Sequence, residues 1–488
     1  MAVSPSQSTI LEAHRLMQAG RLQEALVLAE PVVDKMLICD PAQGMLATIF
    51  LRLGRRADAE LSIEKALQCE QGPADAYDAL AHVCMLLGRH ERSNALYRRA
   101  VELAPNDARH WYNLASSERS LGRLLEAENA CDRAIELDPS HYRTYLLRSE
   151  LRVQAPDSNH IAELHEVLLR PGLDERARVP LGYALAKELD DLARYDEAFH
   201  WFQEAASIRR RHLAYDVGVD ERKLERIREV YPPELVRQAN GDEDSSRHIF
   251  IIGLPRSGTT LLEHILMRLA HVRSNGETDN FLRALLAASP SGPQDVFSRA
   301  AAADSRALAA HYAKLADENV PGARMIEKLP LNYLYLGAIH RALPRAKLLL
   351  VRRSALDSCF AMYRTLFGAA YPFTYDFADL ARYYAAYEQL MNHWRGSLGD
   401  ALIEVEYEDL VRNPQDVGAR VARHCNLLWD PHAIEINKGA AVSLTASAAQ
   451  IRRPIYGSSS GRWRHYRKHL EPLISALRRH QVALPEDA

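Results

Sequence analysis

Four glycines fall 34 residues apart, at Gly20, Gly54, Gly88 and Gly122, in the segments AGRLQEA, LGRRADA, LGRHERS and LGRLLEA. A strict period of this length means one small unit used repeatedly, each copy unable to bury its apolar face alone and therefore stacked on the next. Five residues after each glycine stands a small residue, Ala25, Ala59, Ser93 or Ala127, and Ala66, Ala100 and Ala134 keep the same period, as do Pro105 and Pro139. Small side chains let two helices approach closely. Glycine takes the positive φ of the turn between them, where a Cβ is costly, and proline ends the pair. The pattern predicts a solenoid of antiparallel helix pairs over roughly residues 9 to 140.

Segments such as WYNLASSERSLGRLLEAENACDRAIELDPS resemble the tetratricopeptide repeat family, so residues 1–140 are assigned to repeats. In LARYDEAFHWFQEA, Ala193 stands where the glycine would be and Ala198 follows five later, 71 rather than 68 residues beyond Gly122. Residues 141–237 are accordingly read as degenerate helical repeats that cap the solenoid. The resemblance implies a concave groove for a protein or peptide partner, with Asn113, Arg143 and Tyr145 as candidate groove residues. The alternative is a structural or self-associating, homo-oligomeric scaffold.

Composition agrees with a helix-rich chain of more than one domain. Apolar residues make up 47% of 488 and aromatic residues only 7%, which disfavours a sandwich or barrel. Lys+Arg 61 against Asp+Glu 64 leaves a net charge of -3, so no nucleic-acid-binding polycation is expected. No stretch approaches the roughly 18 apolar residues of a membrane span, and the start MAVSPSQSTILEAHRL has neither a basic nor an apolar leader region. A cytoplasmic protein without a membrane segment is expected. The cysteines Cys39, Cys69, Cys84, Cys131, Cys359 and Cys425 form no CxxC pair, and no HExxH occurs. Neither a disulfide framework nor a metal site is therefore expected.

The polar segment QANGDEDSSR (238–247) reads as a linker, after which the texture changes at HIFIIGLPRSGTTLLEHIL and a second domain, 248–488, begins. Ile249–Ile252 suit a buried parallel strand, Gly253–Thr260 a turn, and Leu261 onward a helix. Successive amides and the helix N-terminus would cradle an anion, with Gly258 allowing close approach. The loop reads G-x-x-x-x-G-T-T, so Thr259 occupies the position of the lysine by which a nucleotide triphosphatase grips its terminal phosphates. A phosphoryl-transfer enzyme would lose that clamp. A ligand with one 5′-phosphate and one transferable group needs only the cradle and a cation such as Arg256.

PRSGTTLL resembles the phosphosulfate loop of sulfotransferases that use 3′-phosphoadenosine-5′-phosphosulfate, in motif that of protein-tyrosine sulfotransferases, and further family segments follow in order to about residue 475. The resemblance implies an α/β three-layer domain around a parallel sheet, for which 249–252, 324–327, 347–351 and 402–406 are candidate strands. It implies that Pro255, Arg256, Ser257, Gly258, Thr259 and Thr260 hold the 5′-phosphosulfate. Glu277, in SNGETDNF, takes the position of the general base. Lys328, in RMIEKLPLNYLYL, takes that of the lysine at the phosphosulfate bridge, with Arg256 as its partner. In AKLLLVRRSALDSCFAMYR, the register from Asp357 selects Arg353 for the 3′-phosphate, with Arg352 as the alternative. The family's serine falls on Ala361, leaving Ser358 or Arg364 to supply that contact. Tyr407, in EVEYEDLVRNP, matches the tyrosine that meets adenine. In SAAQIRRPIYGSSSGRWRHY, Ser447 matches a serine that assists at the bridging oxygen, and Gln450 and Arg462 match cofactor-binding residues. From Arg452 to Arg479 eight basic residues (Arg452, Arg453, Arg462, Arg464, Arg467, Lys468, Arg478, Arg479) face one acid, Glu471.

The expectation is thus an α-solenoid followed by a sulfotransferase domain that needs no metal and moves a sulfuryl group to an acceptor hydroxyl, tyrosyl acceptors included. The rival is a repeat scaffold with a catalytically degenerate second domain.

Overall fold

The computed structural model describes residues 5–36, 39–68, 71–242, 244–316, 322–368, 370–436, 455 and 459–487. The chain divides into two compact units, the first running to Val153 and the second beginning at Gln154.

The first unit holds α1 (Pro5–Gln18), α2 (Leu22–Val33), α3 (Pro41–Arg52), α4 (Arg56–Leu67), α5 (Ala74–Leu86), α6 (His90–Leu103), α7 (Ala108–Leu121), α8 (Leu124–Leu137) and α9 (Tyr142–Glu150). α1 to α8 form four helix pairs, and each turn is made the same way. Gly20, Gly54, Gly88 and Gly122 lie at φ between +74° and +81°. The amide of the following arginine (Arg21, Arg55, Arg89, Arg123) donates to the carbonyl five residues back (Leu16, Phe50, Cys84, Glu118) at 2.8 to 2.9 Å. This bond caps a helix C-terminus only when the residue between is left-handed. The periodic alanines are fully buried, and Ser93 fits the same position because its hydroxyl donates to the Ala81 carbonyl at 2.7 Å.

The second unit opens with α10 (Ile161–Leu168), α11 (Glu175–Asp191), α12 (Tyr195–Arg211), α13 (Val217–Val230) and α14 (Pro233–Val236). The α11–α12 hairpin repeats the turn of the first unit: Ala193 has φ +58°, Arg194 donates to the Leu189 carbonyl at 2.9 Å, and Ala198 is buried. It is a fifth pair of the same construction, closed by alanine at a strain of about 1–2 kcal/mol.

After α14 come β1 (His248–Gly253), α15 (Thr259–Met267), β2 (Val272–Ser274), α16 (Asn280–Ala288), α17 (Val296–Ala301), α18 (Ser305–Ala316), β3 (Arg324–Lys328), α19 (Leu336–Ala342) and β4 (Lys347–Arg352). The unit ends with α20 (Ala355–Tyr363), α21 (Phe377–Leu398), β5 (Leu402–Glu406), α22 (Tyr407–Arg412), α23 (Pro414–His424) and α24 (Arg467–Arg479). The strands form one parallel sheet in the order β2-β3-β1-β4-β5. All four expected strands are present, and β2 is added at one edge. Ile249 and Ile251 of β1 pack with Leu262 of α15 and Val421 of α23 on one face. Phe250 points the other way, against Phe281 of α16 and Tyr312 of α18. Helices therefore cover both faces, and β1 reads as an unbroken apolar run for that reason. From β1 the chain passes to β2 and β3 on one side and then crosses to β4 and β5 on the other, which opens a crevice at the strands' C-terminal ends, where ligands bind in such sheets.

Candidate functional site

The crevice begins with the loop between β1 and α15. Gly253 has φ +149°, and a Cβ there would lie 2.5 Å from the Val351 carbonyl oxygen of the neighbouring strand. Gly258 has φ +105°, and a Cβ there would lie 2.4 Å from Cδ2 of Tyr407. Only glycine fits either place. Arg256 is itself left-handed at φ +67°, the kind of backbone strain that collects at ligand sites. Pro255, Ser257, Thr259 and Thr260 are buried. The Ser257 hydroxyl has no hydrogen-bond partner among the described residues. It faces a small cavity shared with Arg353, Ser358 and Tyr384. A buried orphan hydroxyl beside two glycines that hold space open is the arrangement an anion cradle needs.

Lys328, the last residue of β3, pairs in register with Ile251 of β1, which puts it beside the loop. Its ammonium is only 1% exposed and lies 2.5 Å from Glu277 Oε1 and 3.5 Å from Glu263 Oε2. Glu277 is 40% exposed and so opens to solvent or substrate, whereas Glu263, from α15, is buried. Burial raises the pKa of Glu263, and Lys328 opposes that rise. The Ser274 hydroxyl donates to Glu263 at 2.5 Å and accepts from the Gly276 amide at 2.9 Å, and Lys328 N donates to the Gly276 carbonyl at 3.1 Å. A second buried acid, Glu327, clamps the same turn from the opposite face of β3. It accepts from Thr278 at 2.6 Å and from Asn275 at 3.2 Å. Burial pushes it up to about 7 in spite of these donors. The turn that carries Glu277 is thus fixed by two carboxylates that the sequence reading did not single out. Buried acids carry no local signal: Glu263 is one more polar residue in an amphipathic helix, and Glu327 one of three charged residues in the strand RMIEK.

At the end of β4 the two consecutive arginines separate. Arg352 is held by Glu388 at 3.1 Å, Glu404 at 3.3 Å and Glu406 at 3.6 Å. Arg353 turns to the loop: its Nη1 donates to the Arg256 carbonyl at 3.0 Å, its Nη2 to the Ser459 carbonyl, and its guanidinium lies 4.8 Å from the centre of the Tyr407 ring. Ser358, in the first turns of α20, donates to the Arg353 carbonyl at 3.4 Å. The structure therefore brings Arg256, Ser257, Gly258, Arg353, Ser358 and Tyr407 to one corner, and Glu277 and Lys328 together at another part of the same crevice. Arg462 is turned toward the second unit's α11. It donates to Asp190 at 2.6 Å, as Arg364 does at 2.7 Å. Ser447, Gln450, Arg452 and Arg453 lie outside the described residues. Among the described residues there is no group of acids, histidines and cysteines able to hold a metal ion, and no helix long and apolar enough to cross a membrane.

Residues 248–431 match the family described as the sulfotransferase family, and residues 74–117, 108–141 and 184–216 each match the tetratricopeptide repeat. The last match runs from the middle of α11 through α12. The chain is similar to an uncharacterised protein of Aquifex aeolicus, 29% identical over 436 residues, which covers 86% of this chain and 56% of that protein. It thus spans little more than half of that relative's length. It is also similar to a Caenorhabditis briggsae protein provisionally named protein-tyrosine sulfotransferase, 27% identical over 232 residues, 44% of this chain and 80% of that one. Among solved structures, the sulfotransferase domain from the curacin biosynthetic pathway is similar at 19% identity, over 49% of this chain and 98% of that domain, with a TM-score of 0.36. Residues 248–431 thus match the sulfotransferase family, and stretches before them match the tetratricopeptide repeat.

Proposed function

We propose that the protein moves a sulfuryl group from 3′-phosphoadenosine-5′-phosphosulfate to an acceptor hydroxyl. One observation carries the reading most: the loop offers an anion cradle without its own lysine, at Thr259, while Lys328 is buried at the adjoining strand end and paired with a partly exposed carboxylate, Glu277. A phosphate cradle, a cation and a reachable base are the three parts that sulfuryl transfer requires.

The nucleotide, when bound, supplies the activated sulfuryl group. The loop from Pro255 to Thr260 holds its 5′-phosphate, Arg353 and Ser358 its 3′-phosphate, and Tyr407 its adenine. Glu277 takes the proton of the acceptor hydroxyl. Lys328 and Arg256 hold positive charge where the bridging oxygen gains negative charge, a role in which the family resemblance also includes Ser447, outside the described residues. The resemblance also gives Arg462, and Gln450 outside the described residues, roles in binding the nucleotide. In this arrangement Glu263 gives the Lys328 ammonium a second partner at 3.5 Å, beside Glu277 at 2.5 Å.

The repeats suggest a protein or peptide acceptor, a tyrosyl residue included. The buried thiols of Cys84, Cys131, Cys359 and Cys425, which form no disulfide among the described residues, suit the reducing conditions of a cytoplasm. Calorimetry with 3′-phosphoadenosine-5′-phosphate tests the nucleotide site: saturable one-to-one binding supports the reading, and no detectable heat favours a repeat scaffold instead. Incubation with radiolabelled donor and a lysate of the source cells then identifies the acceptor.

A further inference from the structure

Asp190 lies at the end of α11, in the fifth helix pair and outside residues 248–431, yet three residues near the nucleotide corner converge on it. Its carboxylate is 5% exposed. Oδ2 accepts from Arg364 Nη1 at 2.7 Å and from Arg462 Nη2 at 2.6 Å, and Oδ1 accepts from the Tyr466 hydroxyl. Burial works to raise its pKa, but the two guanidiniums outweigh burial and hold it below the ordinary aspartate value. Two cations around one anion leave the cluster with a net positive charge. The Nε groups of Arg364 and Arg462 are both buried and without a hydrogen-bond partner among the described residues. Each guanidinium thus has donors beyond those that Asp190 uses, a demand that a further anion meets.

The cluster joins the Arg353 corner through the chain itself. Arg353 donates to the Ser459 carbonyl; two residues on, the Gly461 amide donates to Asp357 Oδ2 at 2.7 Å; the next residue is Arg462. Asp357 in turn lies 3.8 Å from Arg353. Two buried carboxylates, Asp357 from α20 and Asp190 from α11, therefore pin residues 459–466 beside the proposed 3′-phosphate contact.

We infer that Asp190 is a positioning residue for recognition of the nucleotide's 3′-phosphate: it gathers Arg364 and Arg462 and docks residues 459–466, the closing segment, which makes the α11–α12 hairpin part of the nucleotide site. The inference rests on the sulfotransferase reading above. Two guanidiniums sharing one carboxylate oxygen repel each other once that oxygen is gone, and the closing segment loses an anchor at the same moment. The loss of order exceeds the gain in positive charge, because both arginines retain solvent as an alternative partner.

The test is calorimetry on the full chain with two probes, 3′-phosphoadenosine-5′-phosphate and adenosine-5′-phosphate, which lacks the 3′-phosphate. Asp190→Ala should weaken the first by about tenfold or more, the scale of a lost charge-assisted contact, and change the second by less than about twofold. Asp190→Asn, which keeps an acceptor without the charge, should fall between, and it carries the test if Asp190→Ala does not fold. In an Arg462→Ala background the same Asp190 substitution should cost clearly less. Equal weakening of both nucleotides would show a merely structural role and overturn the inference, as would an unchanged ratio or tighter binding of the 3′-phosphorylated nucleotide. If the wild-type chain binds neither probe, the sulfotransferase reading fails and the inference with it; if it discriminates between them and Asp190→Ala discriminates equally well, only the inference fails.

Discussion

The two units treat charge in opposite ways. In the solenoid, cations and anions meet mostly at the surface between neighbouring pairs, as in Arg89 with Glu60 and Arg123 with Glu91. Exposed pairs of this kind contribute roughly 0–1 kcal/mol each. Stability there comes from periodic small residues and left-handed turns, and Glu118, buried between Arg98 and Arg123, is an exception. In the second unit, Glu263, Glu327, Lys328, Asp357 and Asp190 are all buried. Burying a charge costs several kcal/mol unless its partners are well placed. A fold keeps so many only where an ordered field is useful, and these surround the crevice at the sheet's C-terminal edge.

The sharpest break of that contrast would come from the ion pair at the crevice. Glu277→Gln and Lys328→Met should each lower transfer from labelled donor by about 100- to 10,000-fold, and Glu277→Gln should leave nucleotide binding nearly intact. Near-wild-type turnover in Glu277→Gln would remove the base from the mechanism.

Next in size is a dependence on pH. Glu327 has a folded pKa raised to about 7 by burial, so its contribution to stability is complete below the unfolded value of about 4.5 and disappears as pH rises through about 7. Between pH 4.5 and 8 this group alone should remove about 3 kcal/mol from the second unit. Urea unfolding at both ends of that range should show the loss in the wild type and a flatter profile in Glu327→Gln; parallel profiles would refute it.

Gly258→Ala sets a Cβ against the Tyr407 ring at φ +105° and should cost about 2 kcal/mol together with at least a tenfold loss of nucleotide affinity. The smallest effect compares the turns. At Gly88 a Cβ would meet nothing within 4 Å, so Gly88→Ala isolates backbone strain and should destabilise by about 1 kcal/mol. Ala193→Gly should stabilise by a similar amount. Melting temperatures that move in the same direction would show that the fifth turn is not built like the others.

That fifth turn was legible in the sequence for the same reason as the first four: a left-handed residue followed five positions later by a buried small residue is a local requirement. β1 was legible as a short apolar run closed by a turn, and β3, β4 and β5 through the family segments in which they lie. β2 was not, since its three residues, Val272–Ser274, include an exposed arginine and pair only along one edge. The loop, too, shows itself locally, because glycines that hold space open must be glycines.

The partners of charged groups were decided otherwise. Arg352 and Arg353 are adjacent in the sequence, and only the packing of α21 and β5 beside β4 sends the first to Glu388 and Glu404 and leaves the second for the loop. Lys328 and Glu277 stand 51 positions apart, and Arg462 is 272 positions from Asp190. The sequence by itself determined the repeat turns, the buried strand β1 and the phosphate loop, each of which answers to steric rules spanning a few residues. Tertiary structure alone decided which carboxylate holds which cation, because a charge's environment is set by the chain that folds around it.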